Sequence, residues 1–489
     1  MGFHHRSTER AEGDGEIFGQ TGSAIARWEW AALLGVLAAF VAIRLPLYSY
    51  PGLILGWNSD AALFGMMARA MREGWDFPLY FWGQFYLGTL TSMLAAAIGA
   101  MLGDVGPLAL RIAAALEVAI AIVFFWLALR RIFGRSAMLA LLWLAAGPAF
   151  LFHFTIAPIG AEELLLAAAM LFWLATRAPF DHVRDWLLLG VLAGLSAWLH
   201  EGVVFLCAAI AAALFVERKV RVRFVIAFAI AFAAGYLPAV AARLRGDPLL
   251  YKRTLLSWSV SEVFSNFAEF FASDLWLLLG GLAAGVAAIV FAIVGLRRRA
   301  WTRAQIIIVA TIALSAAFWL FSTYGYPGAV RYIVPVVPLV YGAAAAGLAK
   351  VRRPIAAIVA IVITLALFVP RAQQANDVAA GRSERYTNWP GWFDPRPTLA
   401  ALETGGYRVC YGEVWVAHKL EWISSPTVRF VPVRSVHRTL KQSLELIREP
   451  GPKCFVDNFG NVKALSPTEE AAWAASVIER GRKAGLVLR

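Results

Sequence analysis

The sequence is poor in charged residues, in cysteine and in internal repetition. Only 16% of its 489 residues are Asp, Glu, Lys or Arg, whereas a soluble protein of this length carries about 25%. Because 60% of the residues are hydrophobic, most of the chain is expected to be solvated by lipid. The three cysteines, Cys207, Cys410 and Cys454, have no spacing typical of a zinc or iron–sulfur site. No internal repeat is visible, which argues against the repeat-built folds of many transporters.

Long hydrophobic runs are what the sequence has in abundance. Runs long enough to cross about 30 Å of hydrocarbon begin near Arg27, Val105, Ser136, Gly160, Arg184, Gly202, Val222, Asp274, Arg303, Ala329 and Pro354. A further run, residues 85–102, is expected to be a re-entrant or interfacial helix, because counting it as a span would turn an Arg-rich loop outward. The sequence thus predicts an α-helical polytopic membrane protein with about 11 transmembrane helices plus juxtamembrane helices.

The formal charge of +13 reflects short Arg-rich loops between the spans and does not indicate a nucleic-acid surface. Basic loops alternate with loops that lack Lys and Arg, and the positive-inside rule assigns the basic loops to the cytoplasm. Residues 1–26 lack an apolar core, so we expect a cytoplasmic tail and no cleavable signal peptide. A transmembrane domain, residues 27–370, follows, with residues 49–104 forming an outer loop that carries juxtamembrane helices. The charge pattern thus predicts that residues 371–489 face the side of the membrane opposite the cytoplasm.

Residues 371–489 combine short apolar runs with helical patterns. The strand candidates are residues 407–411, 428–433 and 454–456, and the helix candidates lie near residues 399–402, 414–422, 439–447 and 469–484. Strands that alternate with helices predict a small α/β domain. Cys410 and Cys454 each lie beside a candidate strand in an oxidising compartment, where a disulfide could form.

The most informative segment, residues 58–88, follows the first span. It is too polar to cross a bilayer, and Asn58 or Ser59 could cap a helix that Gly74 would end. Asp60 would lie in the first turn, where the helix dipole favours an ionised carboxylate. Such a group could accept a proton from a nucleophile or bind a divalent cation. The alternative is an acid that only caps the helix.

Two further motifs place ionisable side chains at the outer ends of spans. Glu162 and Glu163 open the fourth span, and because neighbours on a helix point about 100° apart, we expect only one of them to face the interior. Arg331 and Tyr332 begin the tenth span, where a cation could contact the phosphate of a lipid carrier. Each motif also has a structural interpretation, as a surface acid or as a contact to ordinary lipid headgroups.

Other residues on the outer side are weaker candidates for substrate contacts. They are Tyr80, Gln84, Tyr86, Lys252, Arg253 and His200. The aromatic rings near Phe81 could stack on a sugar, although an interfacial aromatic belt would also explain them, and a polar turn would explain His200. Glu117 lies near the middle of the second span, where it could form a buried structural pair with Arg111.

Together these motifs resemble the GT-C superfamily of polyprenyl-phosphate-sugar glycosyltransferases, and within it family-39-like proteins similar to protein O-mannosyltransferases and lipid A aminoarabinose transferases. The segments that carry the resemblance are NSDAALFGMMARAMREG, APIGAEELLLA and RYIVPVVPLVYG, with CYGEVWVAHKLEWIS in the tail. The resemblance implies a GT-C type fold, Asp60 and Glu162 as catalytic acids, and Arg331 as a contact to the carrier phosphate. The aminoarabinose type often has Lys-Pro-Pro in the first outer loop, where this chain has Asp76-Phe77-Pro78. Arg331 or the pair Lys252-Arg253 would then have to supply the missing phosphate contact.

The function that the resemblance implies is sugar transfer from a polyprenyl-phosphate carrier to a lipid, glycan or protein hydroxyl of the cell envelope. Its partners would be the lipid-linked donor, the acceptor and the bilayer, with no nucleic acid, and Asp60 would serve as the general base. A divalent metal ion held by Asp60 and Glu162 is left open. The alternatives are a transporter or flippase of a lipid-linked sugar, and a non-catalytic polysaccharide-binding protein in which the acids are dispensable. Nothing in the sequence selects the sugar or the acceptor.

Overall fold

The computed structural model describes residues 25–48, 59–74, 76–82, 87–147, 152, 155, 157–244, 259–275, 279–297, 302–321, 331–380, 395–424, 428–433 and 440–483. The helices before the tail are α1 Arg27–Ala42, α2 Leu45–Tyr48, α3 Ser59–Glu73, α4 Leu90–Leu102, α5 Pro107–Phe133, α6 Ala137–Ala146, α7 Ala161–Arg177, α8 Val183–Leu199, α9 Val204–Val216, α10 Val222–Gly235, α11 Leu237–Leu244, α12 Val260–Glu269, α13 Leu282–Leu296, α14 Arg303–Phe321, α15 Val336–Leu348 and α16 Arg353–Ala379. The tail contains α17 Pro395–Thr404, β1 Val409–Gly412, α18 Val414–Ser424, β2 Arg429–Pro432, α19 Leu440–Leu446, β3 Lys453–Val456, β4 Val462–Ala464 and α20 Pro467–Lys483.

Apolar helices occupy the predicted membrane region, which confirms the helical polytopic architecture. Each predicted span corresponds to one of them, namely α1, α5 to α10 and α13 to α16. Within the described residues, three stretches are long and apolar enough to cross a membrane, Pro107–Ala146, Arg303–Phe321 and Arg353–Asp377, and α10 with α11, bent by 51°, would make a fourth. The first stretch holds both α5 and α6, which separate at Gly134 because its φ of 64° is not helical. The count of eleven spans stays a prediction.

The run that was predicted to be re-entrant or interfacial forms α4, a helix of 13 residues that ends at Gly103, where φ is 90°. At 1.5 Å per residue this helix is about 20 Å long, and its re-entrant or interfacial placement stays a prediction. It packs against both α3 and α5. Helix α4 therefore lies between α3 and α5.

Small residues allow two helices of the predicted membrane region, α13 and α15, to pack closely. A Cβ at Gly295 of α13 would overlap the backbone carbonyl of Ala343, and a Cβ at Gly347 of α15 would overlap that of Phe291. Helices in membranes rely on such small residues for close packing, because lipid gives little hydrophobic drive for association. The α13–α15 contact is thus fixed by glycine on both sides.

The tail folds into the predicted α/β domain. Its sheet has the strand order β2-β1-β3-β4, in which the first three strands are parallel and β4 runs antiparallel to β3. Cys410 pairs with Cys454 in register across β1 and β3, and the two form a disulfide with their Cα atoms 4.5 Å apart. The three predicted strands and four predicted helices are all present, whereas β4 was not predicted.

Candidate active site

Asp60 lies in the first turn of α3, as predicted, and Gly74 ends that helix with a φ of 75°. Arg331 Nη1 donates to Asp60 Oδ2 at 3.2 Å, which joins two motifs 271 residues apart. The Arg331 side chain is 16% exposed and that of Asp60 is 9% exposed. The ion pair is therefore largely shielded from bulk water, although a small part of each side chain stays accessible. The side chains of Asn58 and Ser59, the two predicted caps, lie outside the described residues.

Arg331 is held in place by neighbouring aromatic groups. Its Nη2 donates to the Tyr332 hydroxyl at 3.2 Å, and the Tyr332 ring packs on His200 with the ring centroids 5.5 Å apart. Burial lowers the pKa of His200, in the turn after α8, to about 3, and the positive charge of Arg331 acts in the same direction. The imidazole is thus neutral near pH 7, and because its Nδ1 accepts from the Gly202 N–H at 2.9 Å, its proton lies on Nε2.

A second group of acids surrounds Thr91, in the first turn of α4. The Thr91 N–H donates to Glu163 Oε1 at 2.9 Å, and Thr91 Oγ1 lies 3.1 Å from Glu117 Oε1 and 3.5 Å from Glu162 Oε1. All three glutamates are fully buried. The prediction that only one of Glu162 and Glu163 faces the interior is therefore wrong, because the start of α4 covers the side of α7 that would otherwise have been exposed.

The two neighbouring acids make different contacts. Glu162 Oε1 accepts from the Gly160 N–H at 3.0 Å and its Oε2 from the Ile159 N–H at 3.4 Å, so this side chain closes the turn before its own helix. Glu163 uses Oε1 on Thr91, while its buried Oε2 has no hydrogen-bond partner among the described residues. Of the two, Glu163 therefore keeps an unused acceptor.

The role of α4 in organising this region was not predicted from the sequence. Ser92 Oγ donates to the Phe64 carbonyl of α3 at 3.0 Å, and Thr89 Oγ1 donates to the Pro78 carbonyl at 3.0 Å. The available signal was three hydroxyl residues at the start of an otherwise apolar run. Glu117 accepts from Thr91 in this group, while Arg111 Nη1 donates to the Leu47 carbonyl at 3.0 Å. The buried structural pair of Glu117 with Arg111 that was considered is therefore not formed among the described residues.

The aromatic candidates are split between the interior and the undescribed parts of the chain. Tyr80 is 6% exposed, with its hydroxyl 3.3 Å from that of Tyr236, and burial raises its pKa. Phe81 is fully buried and packs on Phe64 with the ring centroids 4.6 Å apart. These two rings lie inside the protein, so the aromatic-belt interpretation is wrong for them. The candidates Gln84, Tyr86, Lys252 and Arg253 lie outside the described residues.

The described residues contain no group of three or more His, Cys, Asp or Glu side chains able to hold a metal ion. Asp60 Oδ2 accepts from Arg331, and both oxygens of Glu162 accept from backbone N–H groups. The carboxylate oxygens that could have bound a cation thus already accept hydrogen bonds, and these two residues do not form a metal site within the described residues.

Comparisons with known proteins find a family model and solved structures that are similar to this chain. A family model described as dolichyl-phosphate-mannose-protein mannosyltransferase matches residues 89–242, from the start of α4 into α11. The crystal structure of ArnT from Cupriavidus metallidurans bound to undecaprenyl phosphate is similar with a TM-score of 0.60 and 15% identity, over 92% of this chain and 95% of that chain. The oligosaccharyltransferase of Archaeoglobus fulgidus, tethered to an acceptor peptide, gives a TM-score of 0.53 and 13% identity, over 83% of this chain and 64% of that chain. No curated protein sequence matches the chain.

These findings confirm the resemblance to GT-C glycosyltransferases and the fold that it implied. The structural likeness extends over nearly the whole chain, tail domain included, whereas the family model covers less than a third of it. At 13 and 15% identity, the likeness to solved structures establishes a common fold.

Proposed function

We propose that the protein is an integral membrane glycosyltransferase that moves a sugar from a polyprenyl-phosphate carrier to a hydroxyl of a cell-envelope acceptor on the outer face of the membrane. The observation that carries this proposal is the ion pair between Asp60 and Arg331 at 3.2 Å. In this pair a carboxylate and a guanidinium lie side by side at the first turn of α3. The fold of a protein crystallised with undecaprenyl phosphate and the family model for mannosyltransferases support the same chemistry.

The pair offers one group for each substrate, the carboxylate for the acceptor and the guanidinium for the carrier phosphate. Asp60 would take the proton of the acceptor hydroxyl, whose oxygen then attacks the anomeric carbon of the sugar. The bond from that carbon to the carrier phosphate breaks, and the phosphate leaves with the electron pair. The planar guanidinium of Arg331 is suited to bind a phosphate through two parallel hydrogen bonds, and low exposure strengthens this electrostatic contact. Before substrate binds, each side chain neutralises the other.

The buried acids have a supporting role in this proposal. Glu162 holds the turn before α7, and Glu163 holds the first turn of α4, which is tied to α3 by the Ser92 hydrogen bond. This geometry favours a positioning role for Glu162 over the catalytic role that the resemblance implies. Substrate contacts by Gln84, Tyr86, Lys252 and Arg253 stay predictions.

The orientation in the membrane is part of the proposal. The disulfide between Cys410 and Cys454 supports a tail domain outside the cytoplasm, since structural disulfides persist in oxidising compartments. The N-terminus would then be cytoplasmic, in a bacterial inner membrane, and the Asp60–Arg331 pair would lie on the same outer side as the tail.

The test is Asp60→Asn, which keeps the shape of the side chain and removes its basicity. A general base typically contributes about 10²–10⁴ in rate, so we expect transfer to fall by at least about 100-fold. Asp104→Asn is the matched control, because Asp104 lies between α4 and α5, carries a side chain that is 76% exposed, and is also near an arginine, Arg72 at 3.9 Å. Envelope glycans of a deletion strain complemented with each variant would be compared by mass spectrometry, at equal membrane abundance of the protein.

Transfer by the purified protein in detergent distinguishes an enzyme from a transporter. Detergent micelles have no two compartments, so movement of radiolabel from an undecaprenyl-phosphate-linked sugar to an acceptor shows catalysis. Normal glycans in the Asp60→Asn strain, or carrier turnover in vesicles with no transfer in detergent, would contradict the proposal.

A further inference from the structure

The tail domain packs directly on the helix that carries Asp60. Helix α18 contacts α3, and the indole of Trp422 lies against Gly65. A Cβ at Gly65 would come within 2.6 Å of three atoms of that indole, which is far closer than packed atoms approach. Trp422 is 2% exposed and belongs to the same apolar cluster as Ala61, Ala62 and Phe64 of α3. The absence of a side chain at Gly65 therefore makes the seat for this indole.

Polar contacts fix the same interface one turn further along α3. Arg69 Nη2 donates to the Trp422 carbonyl at 3.0 Å. The neighbouring Glu421 is 3% exposed and accepts from Arg429 Nε at 2.7 Å. Burial raises the pKa of Glu421, and the positive charges of Arg429 and Arg69 oppose that rise. Arg69 thus contributes a hydrogen bond and a favourable charge to the tail.

Gly65 lies five residues after Asp60 on α3, which is about 7.5 Å along the helix axis. Because a helix moves nearly as a rigid rod over that length, the seat at Gly65 also sets the position of Asp60 relative to Arg331. A misplacement of about 1 Å can lower a reaction rate by about 100-fold. The 3.2 Å contact between Asp60 and Arg331 is therefore sensitive to how Trp422 is seated.

We propose that Trp422 is a positioning residue, through which the tail domain holds α3 and thereby aligns Asp60 for the reaction. This inference rests on the proposed function for its catalytic consequence, and on the contact itself for its structural part. Nothing in Trp422 needs to touch the substrate. The apolar seat and the Arg69 hydrogen bond are sufficient to transmit the position of the tail to the site.

The first test measures the structural part without any transfer assay. Hydrogen–deuterium exchange of residues 59–73 would be compared in full-length wild type, Trp422→Ala and Gly65→Ala. We expect exchange of α3 to rise at least about 10-fold in both variants, because the helix loses its packing partner or is pushed away from it. Gly35→Ala is the matched control, since a Cβ there would meet no atom within 4 Å. Unchanged exchange of α3 in Trp422→Ala would overturn the proposal.

The second test uses transfer kinetics and the coupling between the two positions. We expect kcat to fall by about 10- to 100-fold in Trp422→Ala with KM for the lipid-linked donor nearly unchanged, because alignment and not binding is lost. In the Trp422→Ala background, Gly65→Ala should lower kcat by less than about a further 2-fold, since the new methyl group no longer overlaps an indole. The positioning role would be overturned if Gly65→Ala lowered kcat by the same factor in the wild type and in Trp422→Ala. It would also be overturned if Trp422→Ala raised the exchange of α3 while kcat kept its wild-type value. Normal transfer by Asp60→Asn would instead refute the proposed function, which exchange does not measure.

Discussion

The pair formed by Asp60 and Arg331 should be energetically coupled, and a double-mutant cycle can measure the coupling. At 3.2 Å and an effective dielectric constant of about 20, the attraction between the two charges is about 5 kcal/mol before desolvation is subtracted. Removing one partner leaves the other charge shielded and uncompensated, which destabilises proteins by about 3 kcal/mol. We therefore expect Asp60→Asn and Arg331→Gln each to lower the free energy of unfolding by about 3 kcal/mol. The double variant should lose no more than either single variant.

The assay is chemical unfolding of the purified protein in mixed micelles, with all four members of the cycle measured under one condition. The matched cycle is Asp104→Asn with Arg72→Gln, because these side chains are 76 and 36% exposed and lie 3.9 Å apart. Exposed pairs contribute about 0–1 kcal/mol, so this cycle should show almost no coupling. Losses that simply add in the Asp60–Arg331 cycle would show that the two charges do not stabilise each other, and the geometry of the site would have to be reconsidered.

Three further predictions concern the scaffold around the site. Thr91→Val should destabilise the protein by about 1–3 kcal/mol, because Glu117 would lose a buried hydrogen-bond partner, and Thr91→Ser should restore it in the same unfolding assay. Cys410→Ser should lower the stability of the tail by about 4 kcal/mol, the value for a closed loop of this sequence separation of 44, and adding reductant to the wild type should reproduce the loss. Gly295→Ala should destabilise by about 1–3 kcal/mol through backbone overlap, whereas Gly35→Ala should leave the melting temperature unchanged.

Much of the secondary structure could be predicted because it depends on local pattern. Apolar runs of sufficient length become helices in lipid, since each backbone N–H and C=O must find a partner within the segment. The tail strands β1, β2 and β3 are short buried apolar runs, which is the pattern expected of parallel strands covered on both faces. Strand β4 was missed because its three residues include Lys463 and are largely exposed, so that apolar content gave no signal.

The arrangement of the site was only partly predictable. The resemblance supplied Asp60 and Arg331 as partners in one reaction, but periodicity alone could not show that they touch. Both Glu162 and Glu163 are buried beside the first turn of α4, where Thr91 contacts them, and that contact depends on how distant segments of the chain pack together. Likewise, the docking of Trp422 on Gly65 joins segments that no local pattern connects.

Helix α4 begins among buried residues, since Thr89, Thr91 and Ser92 are each fully buried. In lipid, each free amide hydrogen at a helix start would cost several kcal/mol, yet the Thr91 N–H meets the carboxylate of Glu163 at 2.9 Å. A side chain from a neighbouring helix thus replaces the missing preceding turn, and the chain can change direction at depth. This anchorage also means that a movement of α7 would be transmitted directly to the first turn of α4.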